Sequence, residues 1–120
     1  MATVLIIEDD EKSRRLLCDV LSYHGFAILQ TDRGEVGVEM LESSDVSVVL
    51  MDIQLPGISG FEALARIRAS AALRETKVVA VTASVMDTDR RRILDAGFDG
   101  YVPKPVNLRE LLGTVQKMTA

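Results

Sequence analysis

A single cysteine, Cys18, stands in the 120 residues. No disulfide can close within the chain, and a thiol without a partner fits a reducing compartment. Tryptophan is absent, and three Phe and two Tyr are the only aromatics. That is too few for a surface on which nucleic-acid bases stack. Basic residues are outnumbered: 14 Lys and Arg against 18 Asp and Glu leave a net charge of −4. An acidic domain without a basic patch is a poor sequence-independent DNA binder. No apolar run approaches the roughly 18 residues of a membrane span. The N-terminus has neither the basic start nor the apolar stretch of a secretion signal. These absences lead to the expectation of a cytoplasmic protein with no membrane and no direct nucleic-acid partner. Linkers, repeats and low-complexity stretches are missing too, so residues 1–120 are expected to form one domain. Such a length buries a core without metal or disulfide staples.

What is present alternates. Val4-Leu5-Ile6-Ile7, Ala27-Ile28-Leu29, Val46 to Met51 and Val78-Val79-Ala80-Val81 are apolar runs, and Gly100-Tyr101-Val102 is a weaker fifth. Runs apolar on both faces read as strands of a parallel sheet covered on both sides. Between them, Leu17, Val20, Leu21 and His24 follow helical spacing, as do Leu108, Leu111, Leu112 and Val115. Ser59-x-x-Glu62, Asp32-x-x-Glu35 and Asn107-x-x-Glu110 resemble capping boxes at helix starts. Gly25 and Gly97 stand where two helices should stop. The pattern predicts strands near 3–8, 27–31, 46–51, 77–82 and 100–102, and helices near 12–24, 34–43, 60–70, 87–96 and 107–118. With right-handed crossovers this is a (βα)5 α/β fold, a doubly wound three-layer sandwich.

Sites in such sheets lie beyond the carboxyl ends of the strands. Strand 1 ends in Glu8-Asp9-Asp10, strand 3 in Asp52 and strand 4 in Thr82; strand 5 runs into Lys104-Pro105. Strand 2 ends in Thr31 and Asp32, with no obvious chemical partner. Each residue alone has an ordinary reading: Asp9 or Asp10 as a helix N-cap, Thr82 as a strand residue, Lys104 as a solvated charge. Their convergence at four strand ends of one sheet argues for a site instead.

Leu5-Ile6-Ile7-Glu8-Asp9-Asp10, Leu50 to Gly60, Val81-Thr82-Ala83 and Tyr101-Val102-Pro103-Lys104-Pro105 together resemble a two-component response-regulator receiver domain, a CheY-like, flavodoxin-like fold. The likeness spans the chain, and the stretch Met51 to Gly60 most resembles small single-domain regulators of the DivK kind. A receiver cut from a larger regulator or hybrid kinase is the alternative. The resemblance implies the strand order 2-1-3-4-5. With strands about 4.8 Å apart, Asp9 and Asp52 then end adjacent strands and can share a metal ion, while Lys104 starts two strands from Asp52. Oxygen ligands that leave room for water suit Mg²⁺.

The resemblance also implies roles. Asp52 takes a phosphoryl group from a histidine kinase or histidine phosphotransfer protein. Asp9, Asp52 and the backbone carbonyl of Gln54 hold Mg²⁺, with Glu8 acting through a water. Lys104 and Thr82 contact the phosphoryl oxygens, and Lys104-Pro105 is a cis peptide. Thr82 and Tyr101 then switch the face of helix 4, strand 5 and helix 5 toward a downstream protein target. The domain would catalyse only its own phosphorylation and dephosphorylation, and so would not be an enzyme in the ordinary sense. The oligomeric state stays open.

Arg90, Arg91 and Arg92 read as a solvated face or as a docking edge for an acidic partner. Cys18 and the Met residues read as packing, and His24 as a cation at a helix C-terminus. Two other classes compete. A haloacid-dehalogenase-type Mg²⁺ phosphohydrolase also uses an Asp nucleophile after a buried strand, but needs an acid two residues on, where Gln54 stands. A nucleotide- or flavin-binding domain would need a glycine-rich phosphate loop after strand 1, and none is present.

Overall fold

A computed structural model describes residues 2–83 and 87–120. Five strands alternate with five helices: β1 (Thr3–Ile7), α1 (Glu11–Tyr23), β2 (Ala27–Thr31), α2 (Gly34–Ser43), β3 (Val48–Asp52), α3 (Gly60–Ala69), β4 (Lys77–Thr82), α4 (Asp87–Ala96), β5 (Gly100–Pro103) and α5 (Leu108–Thr119). The sheet is parallel, in the order β2-β1-β3-β4-β5.

Alternation along the buried strands divides the core in two. Leu5, Ile7, Val49, Met51, Val78 and Ala80 face one side, against Leu41 of α2, Leu64 and Ile67 of α3 and Ile93 of α4. Val4, Ile6, Val48, Leu50, Val79 and Val81 face the other, against Leu17 and Leu21 of α1 and Leu111 and Val115 of α5. Strands apolar on both faces thus require helices on both faces, as the apolar runs predict.

Local signals set most helix ends. Asp10 caps α1 by accepting the Ser13 amide proton at 2.9 Å, and that bond holds the Asp10 carboxyl below its ordinary pKa. Ser59 and Asn107 cap α3 and α5 through the amides of Glu62 and Glu110. Gly25 and Gly97 adopt φ of 91° and 109°. Behind them the Phe26 and Phe98 amides bond back to the Leu21 and Ile93 carbonyls, the six-residue closure of a Schellman turn.

Three expectations need correction. Asp32 does not cap α2: Arg33 occupies the N-cap position and makes no side-chain cap bond. The helix start is set by packing, since Gly34 is buried against Ile58 and Ala63. The third strand begins at Val48, not Val46, and continues through Asp52 because Asp52 still pairs with Val81. Leu108 is exposed at the first turn of α5, so only the later members of its apolar series reach the core. His24 lies just past α1, exposed, with Nδ1 2.9 Å from the Val20 carbonyl oxygen. Cys18 is buried, which pushes its thiol pKa up and keeps it protonated. Met51 is core, and Met40 and Met118 pack at its edges; Met1 and Met86 lie outside the described residues.

Candidate functional site

The parallel register brings four strand ends to one level. Ile7 pairs with Met51, Asp52 with Val81, and Thr82 with Pro103. The residues at or just beyond these ends are therefore Glu8 and Asp9, Asp52, Thr82 and Lys104. Among the described residues, the buried polar side chains are Glu8, Asp52 and Thr82, at 1%, 8% and 3% exposure. All three stand at this edge. Burying a charge is costly without a partner, and here the partner is Lys104.

Lys104 Nζ donates to Glu8 Oε1 at 2.5 Å and to Asp52 Oδ2 at 3.0 Å. Its backbone amide donates to the Thr82 carbonyl at 2.8 Å, and its peptide bond to Pro105 is cis. The long stem thus closes the two-strand gap that separates Lys104 from Asp52 in the sheet. The other carboxylate oxygens are held by backbone amides. Asp52 Oδ1 accepts from Gln54 N–H at 3.0 Å, and Glu8 Oε2 accepts from Asp10 N–H at 3.2 Å.

One amine answers two buried carboxylates. Burial pushes the Glu8 carboxyl up to about 7, with the nearby Asp52 adding to the rise and the Lys104 hydrogen bond opposing it. Burial works against the Lys104 charge as well. Its hydrogen bonds to Glu8 and Asp52 outweigh that effect and hold its pKa above the ordinary lysine value. Lys104 therefore keeps its proton while the Glu8 carboxyl takes one up near neutrality.

Glu8, Asp9 and Asp52 each offer one carboxylate oxygen, and these lie within 4.8 Å of one another. Asp9 is exposed and the other two are buried. An all-oxygen donor set of this kind, open to water on one side, fits Mg²⁺. Gln54 is exposed in the loop after Asp52, tied to the cluster through its amide.

Tyr101 lies apart from the carboxylates. Its half-buried ring packs on the core, and its hydroxyl accepts from Arg90 of α4 at 2.9 Å. Two supports went unread in the sequence. Arg14 donates to the Glu8 carbonyl at 2.9 Å and to Gln30 Oε1 at 3.2 Å, tying the end of β1 to β2. Arg68 clasps the carbonyls of Arg74, Thr76 and Gly97 together with the Asp99 carboxylate. Arginines on amphipathic helices are too common for sequence to single either out.

Residues 4–116 match the family described as the response regulator receiver domain. The polar-differentiation response regulator DivK of Brucella ovis is 32% identical over 114 residues, covering 95% of this chain and 93% of that protein. The uncharacterized transcriptional regulatory protein YkoG of Bacillus subtilis is 36% identical over 113 residues, 94% of this chain but 49% of that longer protein. The chemotaxis response regulator CheY4 of Vibrio cholerae shares the fold, with a TM-score of 0.91, 23% identity and 98% of each chain covered. The receiver domain of the sensor histidine kinase PA1611 from Pseudomonas aeruginosa also aligns, with a TM-score of 0.91, 28% identity and coverage of 98% of this chain and 97% of that one. That structure holds a magnesium ion in its active-site cleft. A carboxyl-edge site on a β2-β1-β3-β4-β5 sheet and a family match over almost the whole length lead to one conclusion: this chain belongs to the response regulator receiver domains of two-component signalling.

Proposed function

We propose that Asp52 accepts a phosphoryl group from a phosphohistidine on a histidine kinase or phosphotransfer protein, and that the modified domain then regulates a protein target. An Asp52 carboxylate oxygen attacks phosphorus, the phosphorus–nitrogen bond breaks, and the imidazole leaves with the electron pair. The product is an acyl phosphate. The observation that carries this reading is the burial of Asp52 at the only cluster of buried polar side chains among the described residues, with Lys104 already at 3.0 Å.

Each neighbour has a part. Lys104 balances charge on the phosphoryl oxygens, and Thr82 offers them its hydroxyl. Asp9, Asp52 and the Gln54 carbonyl would hold Mg²⁺, with Glu8 acting through a water. The ion, when bound, supplies positive charge where the transferring group carries negative charge. Gln54 favours transfer over hydrolase chemistry, because no acid stands two residues after Asp52 to protonate an ester leaving group.

Phosphorylation adds about −1.5 to −2 charges. Thr82 moves toward them, Tyr101 turns inward behind it, and the surface of α4, β5 and α5 changes its affinity for the target. A small acyl phosphate with Mg²⁺ tests the acceptor. Intact mass should show one added phosphoryl group on the wild type and none on folded Asp52→Asn. Full labelling of that variant would refute the assignment.

A further inference from the structure

We propose that Arg90 is a positioning residue that latches Tyr101 with its hydroxyl at the surface, so that the strength of this contact sets how readily the domain switches. The inference rests on the switching role given to Tyr101 above. The three consecutive arginines of α4 do three different things. Arg92 lies over the Phe61 ring, 4.5 Å from its centroid, and Phe61 in turn meets Phe98 edge to face. Arg91 is exposed. Arg90 engages Tyr101 twice. Its guanidinium donates to the phenol oxygen at 2.9 Å, and its central carbon stands 4.9 Å from the ring centroid.

Both contacts depend on where Tyr101 now sits. Turning the ring inward carries the hydroxyl away from α4 and takes the ring from beneath the guanidinium. The latch therefore favours only one of the two states, which is the requirement for biasing an equilibrium between them. An exposed cation–π contact together with one exposed hydrogen bond corresponds to a bias of roughly fivefold. Linkage then makes the effect reciprocal. Whatever binds at Asp52 and draws Tyr101 inward binds more weakly by the factor the latch imposes. Arg90, far in sequence from Asp52, would thus tune the affinity of the phosphoryl site without touching it.

Beryllofluoride, a non-covalent mimic of a phosphoryl group, reads this directly in the presence of Mg²⁺. Calorimetry would give its affinity for wild type, Arg90→Ala, Arg90→Lys, Tyr101→Ala and the Arg90→Ala/Tyr101→Ala double variant, each first checked by a melting curve. Fluorotyrosine NMR would report where Tyr101 sits. The latch predicts that Arg90→Ala tightens beryllofluoride binding roughly fivefold. Arg90→Lys, which keeps the charge but loses the planar fork, should fall between. In the Tyr101→Ala background Arg90→Ala should have no effect. Equal affinity in wild type and Arg90→Ala, or the same gain with and without Tyr101, would overturn the latch alone. A wild type that binds no beryllofluoride would overturn the phosphoryl-acceptor reading, and the latch with it.

Discussion

Lys104 shows what one side chain does at this site. It stands between Glu8 and Asp52, neutralises part of their charge, and leaves Glu8 with a carboxyl pKa of about 7. The shift has a thermodynamic sign. The folded-state value lies above the ordinary 4.5, so the folded protein binds this proton more tightly than the unfolded chain does. The resulting stability is fully present below about pH 4.5 and is lost as pH rises through about 7. Its size is on the order of 3 kcal/mol. Urea melts of the metal-free protein between pH 5 and pH 8 should therefore show stability from this group falling with pH, and Glu8→Gln should remove that slope. An identical slope in Glu8→Gln would place the titration elsewhere. The members of this cluster are legible in the sequence, because they converge at four strand ends of one sheet although each alone has an ordinary reading. Its internal wiring is not. That Lys104 reaches two acids at once, or that Arg90 holds Tyr101, depends on side-chain directions fixed only when the sheet is assembled.

Elements hold the site by contacts with little tolerance. The α3 helix begins at Gly60, whose amide donates to the Ile53 carbonyl at 2.8 Å. A Cβ at Gly60 would stand 2.5 Å from the Asp52 carbonyl oxygen and 2.8 Å from the Ile53 Cα. Both neighbours are backbone, so neither can rotate away, and the chain carrying Asp52 would have to shift. Gly60→Ala should lower stability by about 2 kcal/mol and slow phosphorylation from a small acyl phosphate by at least tenfold, since sub-ångström placement governs such transfers. Unchanged stability and labelling rate would show that the helix does not press on the Asp52 backbone. The same scale separates what local sequence can and cannot specify. Ser59 and Asn107 cap as their motifs predict, because capping needs only a side chain three residues before an open amide. The Asp32 motif fails because packing of Gly34 against α3 and the Ile58 loop sets where α2 begins. The β3 boundary shifts for a similar reason: its neighbours in the sheet, not its own hydrophobicity, determine how far pairing extends.

For the whole molecule, the sheet order is what gathers residues so distant in sequence. Placing β3 between β1 and β4 sets Asp52 beside Glu8, and adding β5 beyond β4 brings Lys104 within reach. Five alternating strands and helices are readable from apolar periodicity, but that pattern alone permits several strand orders. Here the family likeness supplied what local physics could not. The assembled acidic edge also couples metal to folding. Lys104 partly answers Glu8 and Asp52, while Asp9 is the exposed member of the oxygen cluster. At ten times its dissociation constant, Mg²⁺ should add about 1.4 kcal/mol, a rise of a few degrees in Tm for a domain of this size. Asp9→Asn should raise metal-free stability and shrink the Mg²⁺ shift together, as melting curves at constant ionic strength would show. An equal shift in both proteins would place the ion elsewhere. The central claim, a phosphoryl group carried by one carboxylate, has its most direct test in covalent trapping. Borohydride reduces an acyl phosphate to an alcohol, converting the modified aspartate to homoserine, and fragment masses locate it. Homoserine should appear at position 52 alone, after treatment with an acyl phosphate and Mg²⁺. Reduction at Glu8 or Asp9 instead, or a phosphoryl group that survives borohydride, would contradict it.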